Sequence, residues 1–316
     1  MLSESSIINF LHNQFPEKIG DDAAILPFSE TESYVITKDL LVEDVHFRLK
    51  YQDAASLAHK ALHVNLSDIA AMGAIPKYVL LGISIPQQDD HYIHQFLQSF
   101  SEQCKAANVL LIGGDTTKSP DKLFISVTAI GIALNTHIKL RSTAKPGDLI
   151  CISGNIGHAH IGFTTLEGNK DGFDSFKSSF LKPKACLQEA LSLGSQPSVT
   201  AMMDLSDGLY IDLQRLSEAS KVAATINLDA LEPSQAFQSA CKQLALDSLT
   251  TQLTGGEDYS LLFTLKPENH HSVISQFKFP VKVIGQMMEG TGVQFIQNGQ
   301  PHLLNLKPFT HFGESL

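Results

Sequence analysis

Residues 53–85 read DAASLAHKALHVNLSDIAAMGAIPKYVLLGISI and contain two elements with different patterns. Apolar residues between Leu57 and Ala70 recur close to the 3.6-residue period of a helix, and Gly73 marks its end. The run from Tyr78 to Ile85 is almost continuously apolar, which is typical of a buried strand. A helix that leads into a buried strand favours an α/β fold.

The alternation of helices and strands continues on both sides of this stretch. Helices are predicted near residues 6–15, 89–107, 157–167, 184–193, 208–219, 234–245 and 268–277, and strands near 34–37, 109–112, 123–133, 149–153, 200–204, 222–228, 259–265, 281–286 and 293–297. The segment RSTAKPGD at 141–148 has the Pro-Gly punctuation of a connector. We therefore predict two α/β domains, residues 1–140 and 141–316.

Length and composition are those of an ordinary globular protein. The 316 residues suffice for about two domains, and 43% of them are hydrophobic while 18% are charged. The longest uncharged apolar stretch, 123–138, is interrupted by polar residues and falls short of the ~20 apolar residues that a membrane helix needs. The first ten residues have no basic segment ahead of an apolar run, so we expect no secretory signal and no membrane partner.

Net charge and cysteine usage limit the classes of binding partner and the cellular compartment that we expect. The formal net charge is -10, and Lys and Arg are scattered rather than grouped, so we expect no nucleic-acid partner. The four cysteines, at 104, 151, 186 and 241, form no CxxC pair. This usage favours reduced thiols, and we expect a cytoplasmic protein.

Six short segments place Gly, Ser or Asp directly after an apolar run. They are GDDA at 20–23, ITKD at 36–39, NLSD at 65–68, GGDTT at 113–117, DLSDG at 204–208 and GGED at 255–258. Each has an ordinary explanation when it is considered alone: Asp207 could cap a helix, and Asp68 could lie on a solvated helix face. Taken together, carboxylates at the carboxyl ends of parallel strands are expected to gather along one edge of the sheet.

Crowded carboxylates repel one another and stay ionised only beside cations. An all-oxygen donor set without a His or Cys cluster favours Mg²⁺, which usually shares its coordination sphere with phosphate oxygens. An acidic site that holds Mg²⁺ can therefore bind a polyphosphate.

The common motifs of phosphate binding and hydrolysis do not account for this site. The sequence contains no GxxxxGK[ST], no protein-kinase HRD and DFG set, no HExxH and no GxSxG. The segment SGNIGHAHIG at 153–162 could offer backbone N–H groups to a phosphate, but a tight turn accounts for its glycines equally well.

The order and spacing of the motifs identify a family. They are IGDDAAIL, YVITKDLLVEDVHF, LAHKALHVNLSDIAAMGA, LLIGGDTTKSP, RSTAKPGD, MDLSDGL, LTGGEDYSLLF and KPFTHF, which together run through nearly the whole chain. With these motifs the chain resembles the thiamine-monophosphate kinase family, in the superfamily that includes aminoimidazole ribonucleotide synthetase and selenophosphate synthetase. The resemblance implies transfer of the ATP γ-phosphoryl group to thiamine monophosphate, with ATP as co-substrate and several Mg²⁺ ions as cofactors. It also implies an N-terminal α/β domain that pairs with a second subunit through its sheet, giving a homodimer, and a larger C-terminal α/β domain.

The same resemblance implies the site residues. The metal ligands would be Asp22, Thr37, Asp39, Asp68, Asp115, Asp204 and Asp207. The nucleotide contacts would be Gly114, Asp115, Arg141 and Ser206, and the substrate contacts His46, Glu257 and Phe309. Direct in-line attack by an already ionised phosphate needs no general base, so the catalytic carboxylates, Asp39, Asp115 and Asp207, would act by holding Mg²⁺.

One position departs from the family pattern. Between Thr37 and Asp39 the family usually carries a small hydroxyl residue, whereas this chain has Lys38. The Lys38 ammonium could supply positive charge to the acidic cluster and replace one metal ion, or it could equally point into solvent.

Two other readings of the sequence stay open. One is a different ATP-dependent enzyme of the same superfamily. Selenophosphate synthetases carry a reactive Cys near the N-terminus and hydrogenase-maturation relatives end in a cysteine tail, whereas the first Cys here is Cys104 and the chain ends in Gly-Glu-Ser-Leu. The other is a nucleotide-binding module without turnover, which the nearly complete acidic set disfavours.

Overall fold

The computed structural model describes residues 4–15, 19–87, 90–268 and 270–306. The helices are α1 Glu4–Gln14, α2 Ala54–Ala71, α3 Asp90–Ala106, α4 His158–Glu167, α5 Asp174–Leu181, α6 Leu187–Gly194, α7 Leu209–Ser220, α8 Gln235–Leu244, α9 Ser248–Thr254 and α10 His270–Ile274. The strands are β1 Ala24–Pro27, β2 Glu32–Val42, β3 Ile75–Ile85, β4 Leu110–Lys118, β5 Phe124–Leu134, β6 Leu149–Ser153, β7 Val199–Asp204, β8 Ala223–Asn227, β9 Leu261–Leu265, β10 Val281–Met288, β11 Val293–Gln297 and β12 Gln300–His302. Helices and strands thus alternate along the chain, as expected for an α/β fold.

The first sheet has the strand order β1-β2-β5-β3-β4. Helix α2 begins after Asp53, whose carboxylate accepts the N–H of Ser56, and packs against β2, β3 and β5. Its side chains are buried nearly all round because the second half of the molecule covers its other face through β7 and α6. This helix is therefore the centre of the molecule, with one sheet on either side.

The opposite face of the first sheet is open to solvent. Alternate residues of β2 are buried under α2, whereas Lys38 and Leu40 are exposed. Strand β4 is exposed along its whole length and carries Leu110, Leu111 and Ile112, each with about half or more of its surface accessible. An edge strand that exposes three consecutive aliphatic residues is a surface that proteins usually cover.

The second sheet has seven strands in the order β12-β11-β8-β10-β6-β9-β7. Strand β9 is buried at every position, and β6 and β7 are buried at nearly every position, because helices lie on both faces of the sheet. Strand β7 ends at Asp204 beside α2, so the end of this strand meets the helix that carries Asp68.

The pairing of the strands corrects one step of the sequence argument. Within the described residues, most neighbouring strands are antiparallel, and only the pairs β3/β4 and β8/β11 are parallel. The expectation that the carboxylates gather at the carboxyl ends of parallel strands was therefore wrong. They converge from a loop, a strand and a helix of the first unit and from a strand end of the second.

No helix within the described ranges is long and apolar enough to cross a membrane.

Candidate active site

A cavity of about 640 Å³ lies where the two sheets approach each other. Its polar walls include seven of the residues singled out from the sequence, and its apolar walls come from both halves of the chain. The lining includes Asp39, Leu41, Val45, His46, Asp68, Arg141, His160, Phe163, Phe180, Ser206, Asp207, Arg215, Glu257 and Tyr259. A cavity with converging polar groups between two structural units is the usual form of a small-molecule site.

Three carboxylates form the acidic centre of this region. Oxygen atoms of Asp22, Asp68 and Asp204 lie within 4.8 Å of one another. Asp22 precedes β1, Asp68 is in the last turns of α2 and Asp204 is the last residue of β7. Hydroxyl groups hold two of them in place: Thr37 Oγ1 donates to Asp68 Oδ2 at 2.6 Å, and Ser67 Oγ donates to Asp204 Oδ2 at 2.5 Å.

Burial and mutual repulsion raise the pKa values of these carboxyl groups. Desolvation raises the pKa of Asp68 well above its ordinary value, and the neighbouring charges of Asp39 and Asp204 raise it further. Desolvation and the charge of Asp22 do the same to the pKa of Asp204. Without a bound cation, ionising the carboxyl groups of this centre therefore costs free energy.

The donor set fits a hard divalent cation. All three groups are carboxylates and the nearest side-chain partner of Asp68 is a hydroxyl, so the donors are oxygen atoms throughout. A cation among them would reverse the pKa increase, because it favours the ionised form of each carboxyl group. Asp22, Asp68, Asp204 and Thr37 are thus brought together as the sequence predicted, in an arrangement that Mg²⁺ can occupy.

Arg141 bridges the acidic centre and the cavity. Its Nε and Nη2 atoms donate to the two oxygens of Asp22, at 3.1 and 2.5 Å, and its backbone N–H faces Asp21 at 3.3 Å. Desolvation, and then the charge of Asp22, raises the pKa of Asp21 to about 7. The guanidinium is 18% exposed and lines the cavity, so it can reach an anionic ligand while it remains paired with Asp22.

Asp39 and Asp207 both line the cavity, and the charge of Asp207 acts on the Asp39 carboxyl group. Asp39 lies on the helix-covered face of β2, and its backbone N–H is held by Asn65 of α2 at 3.0 Å. Desolvation raises the pKa of Asp39 to about 6, with a further contribution from the charge of Asp207. Asp207 lies in the turn between β7 and α7, next to Ser206, and both residues line the cavity with Asp39.

His46 and Glu257 lie on the same wall of the cavity and are linked by Lys60. The Lys60 side chain of α2 is completely buried; its Nζ atom lies 2.9 Å from Glu257 Oε1 and donates to the His46 carbonyl oxygen at 3.2 Å. The same ammonium lies 3.9 Å from the centre of the Phe180 ring. Glu257 has a φ of 66°, a left-handed conformation that a non-glycine residue rarely adopts without a constraint, and such strain is often found at functional sites.

Two of the predicted residues lie elsewhere in the first sheet. Gly114 and Asp115 are on β4, and among the described residues they are not part of the cavity lining. Asp115 on β4 and Asp39 on β2 are three strand spacings apart in the first sheet, so the distance between the two strands is about 15 Å. Gly114 has a φ of 155°, and a Cβ there would overlap the Leu81 carbonyl, so β4 requires glycine at this position. Phe309 lies outside the described residues.

Lys38 lies on the exposed face of β2, opposite to Thr37 and Asp39. Its ammonium is 3.4 Å from Thr128 Oγ1 of the neighbouring strand. The alternation of side chains along a strand therefore directs Lys38 away from the centre formed by Asp22, Asp68 and Asp204.

The glycine-rich segment at 153–162 has an internal partner for its N–H groups. The Asp258 carboxylate accepts the backbone N–H of Gly157 and, at 2.9 Å, that of Ala159. The first turn of α4 is thus capped by the protein's own carboxylate. Of the two readings of this segment, the structure favours a tight turn over a phosphate cradle.

Two cations of the site were not predicted from the sequence. Lys60 lies in the quoted segment LAHKALHVNLSDIAAMGA and Arg215 on α7, but a basic residue within a helical pattern is usually exposed, so neither was singled out. The spacing of Arg215 could have indicated its role. It follows Asp212 by three residues and Asp207 by eight, so it lies on the same face of α7 as Asp212.

Comparison with known proteins agrees with the arrangement of the two units. Residues 20–133 match the family described as AIR synthase related protein, N-terminal domain, and residues 145–298 match its C-terminal domain. The thiamine-monophosphate kinase of Haemophilus influenzae is 35% identical over 308 residues, covering 94% of this chain and 92% of that protein. The thiamine-monophosphate kinase of Bacillus subtilis is 31% identical and covers 95% of both chains.

Solved structures show the same relationship. The structure of AaThiL complexed with AMPPCP and TMP has a TM-score of 0.87 and 28% identity, and it covers 98% of this chain and 97% of that one. The hydrogenase maturation protein HypE in complex with ATP, 21% identical with a TM-score of 0.73, shares the fold. The full-length matches to curated relatives and the two AIR synthase related domains show that the chain belongs to the thiamine-monophosphate kinase family.

Proposed function

We propose that this protein transfers the γ-phosphoryl group of ATP to the phosphate of thiamine monophosphate, giving thiamine diphosphate and ADP. The observation that carries the proposal is the single cavity in which the carboxylates Asp39 and Asp68, the guanidinium of Arg141 and an apolar wall meet. The family's curated kinases, and the AaThiL structure complexed with AMPPCP and TMP, support ATP and the thiamine phosphate as the two ligands.

The reaction needs positioning and charge neutralisation rather than a general base. The acceptor phosphate is already ionised at neutral pH, so its oxygen can attack the γ-phosphorus directly and in line with the departing ADP oxygen. The carboxylates that we propose as catalytic are Asp39, Asp115 and Asp207, which would act by holding metal ions. Asp39 and Asp207 line the cavity, whereas Asp115 lies on β4 and is proposed from its family motif alone. When bound, Mg²⁺ would offset the repulsion between the two polyanions.

The metal ligands that we propose are Asp22, Thr37, Asp39, Asp68, Asp115, Asp204 and Asp207. The close approach of Asp22, Asp68 and Asp204, and the all-oxygen donor set, support this assignment. Arg141 would orient the nucleotide phosphates, because it faces the cavity while two of its donors are fixed on Asp22.

The remaining nucleotide contacts that we propose are Gly114, Asp115 and Ser206, and the substrate contacts are His46, Glu257 and Phe309. The position of Ser206, His46 and Glu257 on the cavity wall supports their assignment. The Glu257 carboxylate offers a negative charge to the thiazolium cation, and Phe163 and Phe180 give the aromatic surroundings that a flat heterocycle prefers.

We further propose that the protein is a homodimer that pairs through the first sheet. The exposed aliphatic residues of the edge strand β4, Leu110, Leu111 and Ile112, and the open face of this sheet support such an interface. The domain assignment, residues 1–140 for metal binding and dimerisation and residues 141–316 for the C-terminal unit, places the boundary between β5 and β6. We place the protein in the cytoplasm, without membrane or nucleic-acid partners, because its cysteines are free and its charge is strongly negative.

The decisive experiment measures ADP release by the purified protein with ATP and Mg²⁺, with or without thiamine monophosphate, and quantifies thiamine diphosphate by chromatography. We expect one thiamine diphosphate for each ADP. ADP formation at a rate that does not depend on thiamine monophosphate would indicate another enzyme of the superfamily. Binding of ATP and Mg²⁺ without ADP release would indicate a binding module.

A further inference from the structure

Arg215 lies on the wall of the cavity and is paired with two carboxylates. Its Nη1 atom is 2.6 Å from Asp207 Oδ2 and 2.9 Å from Asp212 Oδ1, and its side chain is 36% exposed. Both ion pairs use one of the three guanidinium nitrogens, although a guanidinium has five N–H donors in a planar fork. Arg215 is therefore close to a proposed metal ligand and still has donors to offer to a further ligand.

Asp207 and Asp212 differ in whether they can release Arg215 to bind another partner. The Asp212 side chain is completely buried, and its Oδ2 atom accepts the backbone N–H groups of Asp207 and Gly208 at 3.0 and 3.1 Å. It thereby fixes the turn that leads into α7. The Asp207 carboxylate is 26% exposed and faces the cavity. Arg215 thus has one permanent anchor, Asp212, and one partner that can be exchanged, Asp207.

A second guanidinium, that of Arg141, lines the same cavity. Burial lowers the pKa of Arg215, but the charges of Asp207 and Asp212 raise it by more, so that the pKa is raised on balance. The positive charge of Arg141 lowers the pKa of Arg215. Two arginines that face one cavity repel each other unless an anion lies between them. A polyphosphate is the ligand whose charge and geometry suit two guanidinium forks.

We infer that Arg215 is a nucleotide-phosphate-binding residue that leaves Asp207 when this carboxylate binds a metal ion, while it stays anchored on Asp212. The inference deepens the proposed function and rests on it, because the anion is taken to be the polyphosphate of ATP. Asp207 exchanges one cationic partner for another, so the charge of the site is kept balanced in both states. The guanidinium that is released from Asp207 then meets the negative charge that the nucleotide brings.

This exchange gives two effects of opposite sign, which a purely structural role would not give. Removing the charge of Arg215 frees Asp207 from a competitor, so Mg²⁺ should bind more tightly. The same change removes a phosphate contact, so the nucleotide should bind more weakly at a fixed concentration of free Mg²⁺. A residue that only supports the fold would weaken both interactions together.

The test compares the wild-type protein with Arg215→Gln and Arg215→Lys, and uses Arg48→Gln as a control for the loss of a half-exposed arginine that pairs with Glu167. Binding of AMPPCP is measured by calorimetry at fixed free Mg²⁺ and without an acceptor. The affinity for Mg²⁺ alone is taken from the metal-dependent rise in melting temperature. Thiamine diphosphate formation by the wild-type protein is measured separately.

For Arg215→Gln we expect AMPPCP affinity to fall about tenfold, while half-saturation by Mg²⁺ occurs at a lower concentration. Arg215→Lys keeps the charge without the planar fork and should lie between Gln and the wild type. Unchanged AMPPCP affinity in Arg215→Gln, or a parallel loss of both affinities, would overturn the inference, as would a wild-type protein that does not bind AMPPCP. If AMPPCP binding responds as expected but no thiamine diphosphate forms, the proposed acceptor fails and the role of Arg215 stands.

Discussion

The Arg141 guanidinium holds the Asp22 carboxylate through two hydrogen bonds, from Nε to Oδ2 at 3.1 Å and from Nη2 to Oδ1 at 2.5 Å. The Asp22 side chain is completely buried, and its oxygens also approach those of Asp68 and Asp204. Arg141 is therefore the protein's own counter-charge for a centre that otherwise contains only acids. Its loss would leave several buried carboxylates without compensation.

Replacing Arg141 by Met should destabilise the metal-free protein by about 3 kcal/mol, because it leaves a buried charge unpaired. Added Mg²⁺ should restore part of this loss, since the cation supplies the missing positive charge. Urea unfolding in EDTA and in Mg²⁺ measures both effects, and Arg48→Met serves as the control for an arginine in a more exposed pair. An equal loss of stability with and without Mg²⁺ would contradict the role of Arg141 as counter-charge.

Replacing Asp39 by Asn should lower the rate of ADP release by roughly 100-fold or more, if the metal ions supply several kcal/mol of transition-state stabilisation. The amide keeps the shape of the side chain, so the change tests its charge. Asp121→Asn, at an exposed loop position, is the matched control. A loss below about threefold with an unchanged dependence on Mg²⁺ would remove Asp39 from the set of metal ligands.

Stability should depend on pH in a window set by buried carboxyl groups. The pKa of Asp21 and that of Asp212 are raised to about 7, mainly by desolvation, from an ordinary value of 3.8. The folded protein therefore binds these protons more tightly than the unfolded chain, and its stability falls as pH rises through 7. Between pH 6.5 and 8 the free energy of unfolding in EDTA should fall by about 1 kcal/mol for each group.

The window begins at pH 6.5 because buried histidines act with the opposite sign below it. Burial lowers the pKa of His63 to about 4, so its contribution to stability grows mainly below its unfolded-state pKa of 6.5 and levels off above it. Unfolding by urea at several pH values measures the slope, and Asp21→Asn should flatten it. A stability that is constant or rises between pH 6.5 and 8 would show that these carboxyl groups are ionised in the folded protein.

Replacing Lys38 by Thr tests whether this lysine takes the place of a metal ion. Its ammonium lies beside Thr128 on the exposed face of the first sheet, so we expect the Mg²⁺ concentration that gives half-maximal rate to change by less than twofold. Lys77→Thr, on strand β3 of the same sheet, is the control. A markedly altered requirement for Mg²⁺ would instead support the alternative hypothesis that the Lys38 charge replaces a metal.

The fold was predictable where the pattern is long and local. The helix α2 and the strand β3 follow directly from the apolar periodicity of residues 53–85. The short helices α5 and α9 were missed, because they are eight and seven residues long and are stabilised by tertiary packing, as the buried Phe176 and Phe180 of α5 indicate. The direction of strand pairing was also wrong, since periodicity within a strand carries no information about its neighbour.

The site was predictable where a motif carries it. Asp22, Asp68 and Asp204 lie in quoted motifs and come together in the structure. Lys60 and Arg215 were missed because their significance depends on partners from other elements or turns, which no spacing of apolar residues reveals. Lys60 in particular is buried by the second half of the chain, whereas a lysine in a helical pattern is usually exposed.

Lys60 should be a positioning residue for the substrate contacts His46 and Glu257. It links them through an ion pair of 2.9 Å to Glu257 and a hydrogen bond of 3.2 Å to the His46 carbonyl, and its surroundings include the Phe180 ring. Lys60→Met should raise KM for thiamine monophosphate about tenfold, because a charge-assisted contact to the Glu257 carboxylate is lost. KM for ATP should stay within about twofold, and Lys50→Met, in an exposed ion pair with Glu167, is the control.

A double-mutant cycle separates positioning from simple destabilisation. If Lys60 acts through Glu257, the double variant Lys60→Met with Glu257→Gln should raise KM for thiamine monophosphate little more than the stronger single variant does. If the two residues act independently, the effects multiply. Equal losses in KM for both substrates, accompanied by a lower melting temperature, would mean that Lys60 serves the packing between α2 and the C-terminal unit and that the orientation of Glu257 does not depend on it.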